Sequence, residues 1–250
     1  MTATYSLPSS ISSGDRFRSK PVEPNAIKVV IPTYQDWEGL RTTLDSLVRM
    51  DTPPSSIVVA NDNPEPEIPG WVNSYPVEVN NYRGNRGPAI ARNAGFGFLD
   101  NGILTRPSSE LRMRVSSIGG RKERVTAHSH TINDLSVSQY GLEPRTFEWH
   151  GKEDWVYFTD CGCEHSPDLF SRFVSTWKEY GDSCVALSGS VLGSGKGAIN
   201  EYMTEQGVLN PPLEQMINGV YIPQAIITAN ALVASLPFAY IGGFDTKFKE

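Results

Sequence analysis

Residues 27–48 read IKVVIPTYQDWEGLRTTLDSLV, and this stretch decides the fold. Ile27-Lys28-Val29-Val30-Ile31 is a β-rich apolar run ended by Pro32. Leu40, Leu44, Leu47 and Val48 then recur at helical spacing before Pro53-Pro54. A strand therefore turns directly into a helix, and the unit repeats. Residues 56–60 form a second apolar strand and 77–80 a weaker third. Residues 88–99 read as a helix whose Ala89, Ala91, Ala94 and Gly95 permit close packing. Trp155-Val156-Tyr157-Phe158-Thr159 is another strand, and Pro167 opens a helix to about Tyr180 with Leu169, Phe170, Phe173, Val174 and Trp177 on its apolar side. This alternation predicts the α/β class, with a mostly parallel central sheet flanked by helices on both faces.

The 250 residues suit one large domain. A net charge of -6 gives no general attraction to nucleic acid, so a nucleic-acid partner is excluded. The three cysteines, Cys161, Cys163 and Cys184, are an odd number with two separated by one residue, which points to a reducing, cytoplasmic setting. The inner face of the membrane, reached by peripheral contact, is the alternative location. Residues 1–26 are rich in Ser and Pro, with Arg16, Arg18 and Lys20 and no apolar core, and read as a flexible leader. The uncharged run over 215–244 is long enough to span a bilayer. Pro223, Gln224, Asn230, Pro237 and Gly242-Gly243 interrupt it, so it reads as a buried strand followed by a short helix.

Between about 101 and 154 lies a polar stretch with Arg106, Arg112, Arg114, Arg121, Lys122 and Arg124 and no sustained apolar period, which reads as an insertion. Gly193-Ser194-Gly195-Lys196-Gly197 has the look of a phosphate loop but fails the spacing, since Ser190 stands where the first Gly is needed and Gly197 where a Ser or Thr is.

In open α/β sheets ligands sit beyond the carboxyl ends of the strands. Three strand ends carry polar groups there: Pro32-Thr33-Tyr34, Asn61-Asp62-Asn63, and Asp160-Cys161-Gly162-Cys163. A base, a ribose and a diphosphate need such groups. An Asp62 carboxylate can accept the imide N–H of uracil or the amino and imino hydrogens of guanine, and Tyr34 can stack on a base. Asp62 capping its own Asn-Asp-Asn-Pro turn is the competing reading. Cys161, Cys163 and His165 are soft-metal ligand types, but a structural zinc site needs four ligands and none completes the set nearby, so they read as small groups filling a tight turn.

VVIPTYQDWEGLRTTLDSL, IVVANDNP, NRGPAIARNAG, VYFTDCGCEHSPDLF and TANALV…IGGFDTKF resemble, in order and spacing, the successive motifs of family 2 glycosyltransferases, over roughly residues 27–100 and 155–250. Five ordered blocks are far more specific than any single short motif. The resemblance implies a GT-A fold within residues 27–250, with a Rossmann-like nucleotide-binding half and an acceptor-side half. It places Pro32, Thr33, Tyr34 and Asp62 on the nucleotide, with Arg92 and Asn93 supporting the donor site. The family's fourth block carries D-x-D, two carboxylates that set a divalent cation, Mn or Mg, against the diphosphate. Here Asp160 aligns with the first acid and Gly162 stands in place of the second. Three alternatives follow: Asp160 holds the metal with the diphosphate and water, Glu164 substitutes, or metal dependence is lost. Thr228 and Asn230 fall on the sugar and acceptor side. Phe248 completes F-D-x-x-F after Phe244-Asp245, and in family members an E-D pair supplies the general base soon afterwards. The sequence ends at Glu250 short of that pair and reads as a domain cut at its C-terminal end.

The expectation is thus an inverting hexosyltransferase moving a sugar from a nucleoside diphosphate sugar to an acceptor hydroxyl, with Asp160 as the catalytic and metal-binding acid. The acceptor is a glycan, a lipid-linked molecule or a small molecule. The alternative is a non-catalytic nucleotide-sugar-binding or regulatory subunit lacking the base.

Overall fold

Alternate residues of one strand, β2 (Ile27–Thr33), serve two different cores. Ile27, Val29 and Ile31 face one layer and Lys28 and Val30 the other, as the period of two in a pleated strand requires. A computed structural model describes residues 3–6, 19–64, 67–81, 85–97, 114–117, 129–130, 145–148, 153–193, 195, 197–210, 213–217, 220–223, 226–240 and 243–245.

Twelve strands are described. They are β1 (Ala3–Ser6), β2, β3 (Ser56–Asn61), β4 (Glu78–Asn81), β5 (Arg114–Ser117), β6 (Ser129–His130), β7 (Arg145–Glu148), β8 (Trp155–Phe158), β9 (Cys184–Ser188), β10 (Leu213–Ile217), β11 (Val220–Pro223) and β12 (Ala231–Ala234). The helices are α1 (Trp37–Val48), α2 (Pro88–Phe96), α3 (Leu169–Tyr180), α4 (Ala198–Glu205) and α5 (Ser235–Tyr240). The main sheet has seven strands in the order β1-β9-β12-β8-β2-β3-β4. β8, β2, β3 and β4 are parallel, while β12 runs antiparallel to both β8 and β9, and β1 antiparallel to β9. Helices packed on both faces make it an α/β fold, as the alternation of elements predicted.

α1 begins where Asp36 accepts the Gly39 amide at 2.9 Å, a side-chain cap on its first turn. Leu40, Leu44 and Leu47 of α1 and Phe170 and Phe173 of α3 are buried with Val29, Ile31, Ile57, Val59, Trp155 and Tyr157 in the larger core. α2 covers the other face. Ala91 packs on Ala60, and Lys28, itself buried, donates from Nζ to the Phe96 carbonyl at 3.1 Å, satisfying an end carbonyl of the helix. Phe96, Phe158, Phe238 and Phe244 form an aromatic cluster on this face, with ring centroids 4.9–5.2 Å apart.

Part of the 1–26 segment read as a leader is anchored in the fold. β1 joins the sheet edge, Trp155 Nε1 donates to the Lys20 carbonyl at 3.0 Å, Trp177 Nε1 donates to Ser19 Oγ at 2.8 Å, and Val22 is buried. The stretch over about 101–154, read from the sequence as an insertion, contributes β5, β6 and β7 as a separate antiparallel sheet in the order β5-β7-β6. The insertion's Arg106, Arg112, Arg121, Lys122, Arg124 and His128 lie outside the described residues, as do Ser194, Lys196, Gly242, Phe248 and Glu250. The 215–244 run resolves into the β10–β11 hairpin, the buried strand β12 and the short helix α5, and among the described residues no helix is long and apolar enough to cross a membrane.

The close approach of α2 to β2 is a packing constraint with a measurable cost. A Cβ added at Gly95 would lie 2.5 Å from Val30 Cγ1 and 3.3 Å from Ala60 Cβ. Gly95→Ala is expected to destabilise the protein by about 1–3 kcal/mol through overpacking, although alanine is the better helix former. Urea unfolding of wild type and variant checks this, and a midpoint at or above wild type would refute it.

Candidate functional site

Because β8, β2 and β3 are adjacent and parallel, their carboxyl ends share one edge and span only roughly 10 Å at ordinary strand spacing. Pro32-Thr33-Tyr34, Asp62 and Asp160 stand on that edge. β12 runs the opposite way, so the turn before it, Thr228–Asn230, meets the same edge beside Asp160. The strand ends are stitched together. The Asp62 amide donates to the Thr33 carbonyl at 2.9 Å, the Cys161 thiol to the Pro32 carbonyl at 3.4 Å, and the Thr159 hydroxyl to the Ala229 carbonyl at 3.1 Å.

Asp62 is buried, and its carboxylate accepts the Arg86 amide at 2.9 and 3.1 Å and the Gly87 amide at 2.8 Å. Burial raises its pKa, and those amides together with the Arg86 charge pull in the opposite direction. The carboxylate thus holds the turn that opens α2, where Gly87 takes φ 94° and no side chain of the helix itself caps the end. Among the described residues it caps no turn of its own.

α2 then presents two consecutive polar residues to the edge. Arg92 Nη2 donates to Asp160 Oδ1 at 2.6 Å, with the Arg92 side chain 12% exposed and that of Asp160 37% exposed. Arg92 Cζ lies 5.8 Å from the Phe244 ring centroid, and its Nε is buried without a hydrogen-bond partner. Asn93 clasps the Phe244 backbone at both ends, donating to its carbonyl and accepting its amide, each at 2.8 Å. One helix thereby joins the turn after β3, the turn after β8 and the segment after α5.

On the other side of Asp62, Gln35 adopts φ 57°, left-handed backbone that a non-glycine residue occupies only when its surroundings impose it. Asn63 imposes it by accepting the Gln35 amide at 2.7 Å. Asn61 Oδ1 accepts in turn from Asn63, and Asn61 Nδ2 donates to Asn81 at 2.7 Å, tying β3 to β4. Beside this amide chain opens a cleft of about 550 Å³ lined by Gln35, Trp37, Asn63, Glu67, Ile68 and Pro69. Sequence reasoning singled out Tyr34, which is 46% exposed, and the Asn61-Asp62-Asn63 turn, and missed Trp37 and Gln35. The Asn-Asp-Asn run was the available signal for Asn63; nothing in the sequence marks the backbone of Gln35.

Thr33 is buried with its hydroxyl unpartnered. Thr228 is half-buried in its turn. Asn230 is structural as well as edge-lying: it accepts the Tyr157 hydroxyl at 3.0 Å and donates to the Ser190 carbonyl at 3.1 Å. His165 has both ring nitrogens engaged, Nδ1 with Ser46 Oγ at 2.8 Å and Nε2 with Thr159 Oγ1 at 2.9 Å. It is a strut between α1 and the end of β8, with no nitrogen left for a metal. Burial pushes the Cys161 thiol up to about 12, which keeps it protonated.

Among the described residues, the Asp160 turn does not by itself supply a full ligand set for a divalent cation, so an ion there would draw further ligands from a diphosphate and water. Hard cations take several oxygen ligands. Gly162, at φ 85°, offers none, and Glu164 is a surface group whose nearest cationic partner is Arg49 at 3.9 Å. Asp160 already faces a guanidinium. Among the described residues no three His, Cys, Asp or Glu side chains group to hold an ion.

Burial also gives His165 a pH signature. Its pKa falls from 6.5 to about 4, so between those values the unfolded chain binds a proton that the folded chain does not. Stability is therefore lost as pH falls through that window, by about 3 kcal/mol from this group at its lower end. Urea unfolding from pH 7 to pH 4 of wild type and His165→Gln tests this: the wild-type advantage should shrink toward pH 4, and a pH-independent difference would refute it.

Residues 28–105 match the sequence profile described as Glycosyl transferase family 2. No curated protein matches the chain. Among solved structures, S. aureus TarS 1-349 in complex with UDP is 13% identical at a TM-score of 0.48, with 90% of this chain and 51% of that chain covered. The mannosyltransferase PcManGT from Pyrobaculum calidifontis, in complex with GDP-Man and Mn2+, is 14% identical at a TM-score of 0.45, with 96% and 51% covered. The chain spans about half the length of these structures. The profile match takes in β2, β3, β4 and α2, which carry Pro32, Thr33, Tyr34, Asp62, Arg92 and Asn93, so this part of the chain is similar to glycosyl transferase family 2.

Proposed function

We propose that residues 27–250 form a glycosyltransferase domain that binds a nucleoside diphosphate sugar at the carboxyl edge of its sheet and transfers the sugar, a hexose, to an acceptor hydroxyl with inversion. The observation that carries this reading is the double hold on α2: Asp62 fixes its first turn and Arg92 reaches Asp160, so two acidic turns meet through one helix. The cleft beside Gln35 and Trp37 has the volume of a small-ligand site, with an indole and fixed amides on its walls, and receives the nucleoside. Pro32, Thr33, Tyr34 and Asp62 precede or adjoin its lining residues Gln35 and Asn63 in the chain, and we assign them to the nucleotide side. Asp160, partly exposed where β8 ends, stands at the junction of diphosphate and sugar, and Thr228 and Asn230 border the acceptor side.

Inversion needs a base that takes the acceptor's proton as the hydroxyl attacks from the face opposite the diphosphate. Asn93 holds the Phe244 backbone beside the site. The three unbridged cysteines fit a reducing compartment, and we place the reaction in the cytoplasm, with a glycan, lipid-linked or small-molecule acceptor.

A thermal-shift panel of UDP-, GDP- and dTDP-sugars tests the donor class, since a tight ligand raises Tm by mass action. At least one should stabilise the protein, and none doing so would remove the reading. Asp160→Ala is expected to lower transfer and donor hydrolysis by about 10²–10³-fold with an unchanged circular dichroism spectrum. Full activity in that variant would rule out the role given to Asp160.

A further inference from the structure

At the Asp160 turn a positive charge is brought by a side chain, Arg92. Arg92 is 12% exposed, held at 2.6 Å from Asp160, stacked at 5.8 Å over Phe244, and retains a buried Nε–H with no partner. A guanidinium has five N–H donors in a planar fork that matches phosphate oxygens in pairs. A carboxylate such as Asp160 repels a diphosphate unless a positive charge stands between them. The position that would bring a second carboxylate to a metal is Gly162, which has no side chain and around which the space is open. Glu164 is drawn to the surface beside Arg49.

We propose that Arg92 supplies the counter-charge for the diphosphate at this site, so that nucleotide binding does not depend on a divalent cation. The inference rests on the donor-site reading above and adds to it the means by which the phosphates are held. Arg92 is held beside Asp160 by the 2.6 Å contact, so its guanidinium is oriented at this edge. On binding, the exposed part of the guanidinium meets the phosphate oxygens while Asp160 keeps the side chain in place. Asn93, one residue along, holds the helix against the Phe244 backbone and keeps Arg92 from swinging out.

The test is isothermal titration of the full chain with UDP, GDP and dTDP, each in EDTA and in excess manganese, alongside the corresponding nucleosides. The expected result is that the diphosphate that binds has the same Kd in both conditions to within about twofold. Arg92→Ala and Arg92→Lys should weaken that diphosphate by about tenfold to a hundredfold, the loss of charge-assisted hydrogen bonds, while the nucleoside changes little. A structural role alone would weaken diphosphate and nucleoside together. The wild-type comparison stands even if a variant fails to fold. Diphosphate binding that disappears in EDTA and returns with manganese overturns the inference and leaves the donor reading intact. No diphosphate binding in either condition overturns both.

Discussion

A buried carboxylate that accepts three hydrogen bonds from backbone amides is the constraint on which the candidate site depends. Asp62 sits at the end of β3 and is removed from water, which disfavours its charge unless donors replace the solvent. The Arg86 and Gly87 amides do so, and their position at the opening of α2 sets negative charge against the positive end of that helix. The arrangement fixes where α2 starts and how it is rotated. Gly95 must then face Val30 at close range, and Arg92 and Asn93 must face the edge. Moving Asp62 would disturb residues on three other elements.

The site is divided between a rigid part and an open part. The rigid part is the chain of amides from Asn81 through Asn61 and Asn63 to Gln35, in which each link leaves no freedom to the next. Its effect is to hold a left-handed residue at the mouth of the cleft. The open part is the Asp160 turn, where Gly162 and the exposed Glu164 leave the carboxylate with Arg92 as its charged neighbour. The wall from Asn81 to Gln35 is thus preorganised, while the Asp160 turn is held by one ion pair.

Much of the parallel half was legible in the sequence because buried parallel strands are continuous apolar runs and Pro brackets the intervening helices. The strands at 27–33, 56–61 and 155–158 and the helix starting at Pro88 all fall where the pattern put them. β9 was not legible, since Cys-Val-Ala-Leu-Ser is short and carries no alternation, and the insertion of β12 between β9 and β8 is a matter of topology that no local period encodes. Within the site, Asp62 and Asp160 stood out as acids at strand ends. Their partners did not. Asp62 binds backbone amides 24 and 25 residues away, and every residue type other than proline has such an amide, so composition carries no trace of the contact. His165 looked like a metal ligand by type and proved to be a strut between two hydroxyls, a distinction made only by what surrounds it.

The two-ended grip of Asn93 on Phe244 makes α2 behave as a rocker arm. Arg92 and Asn93 are neighbours on one rigid helix, so any pull on the guanidinium is felt at the Phe244 backbone without an intervening flexible link. The Phe244 ring is also wedged among Phe158 and Phe238, so the helix cannot tilt without disturbing the aromatic layer beneath it. A tilt of α2 would therefore move the Asp160 ion pair and the Phe244 backbone together.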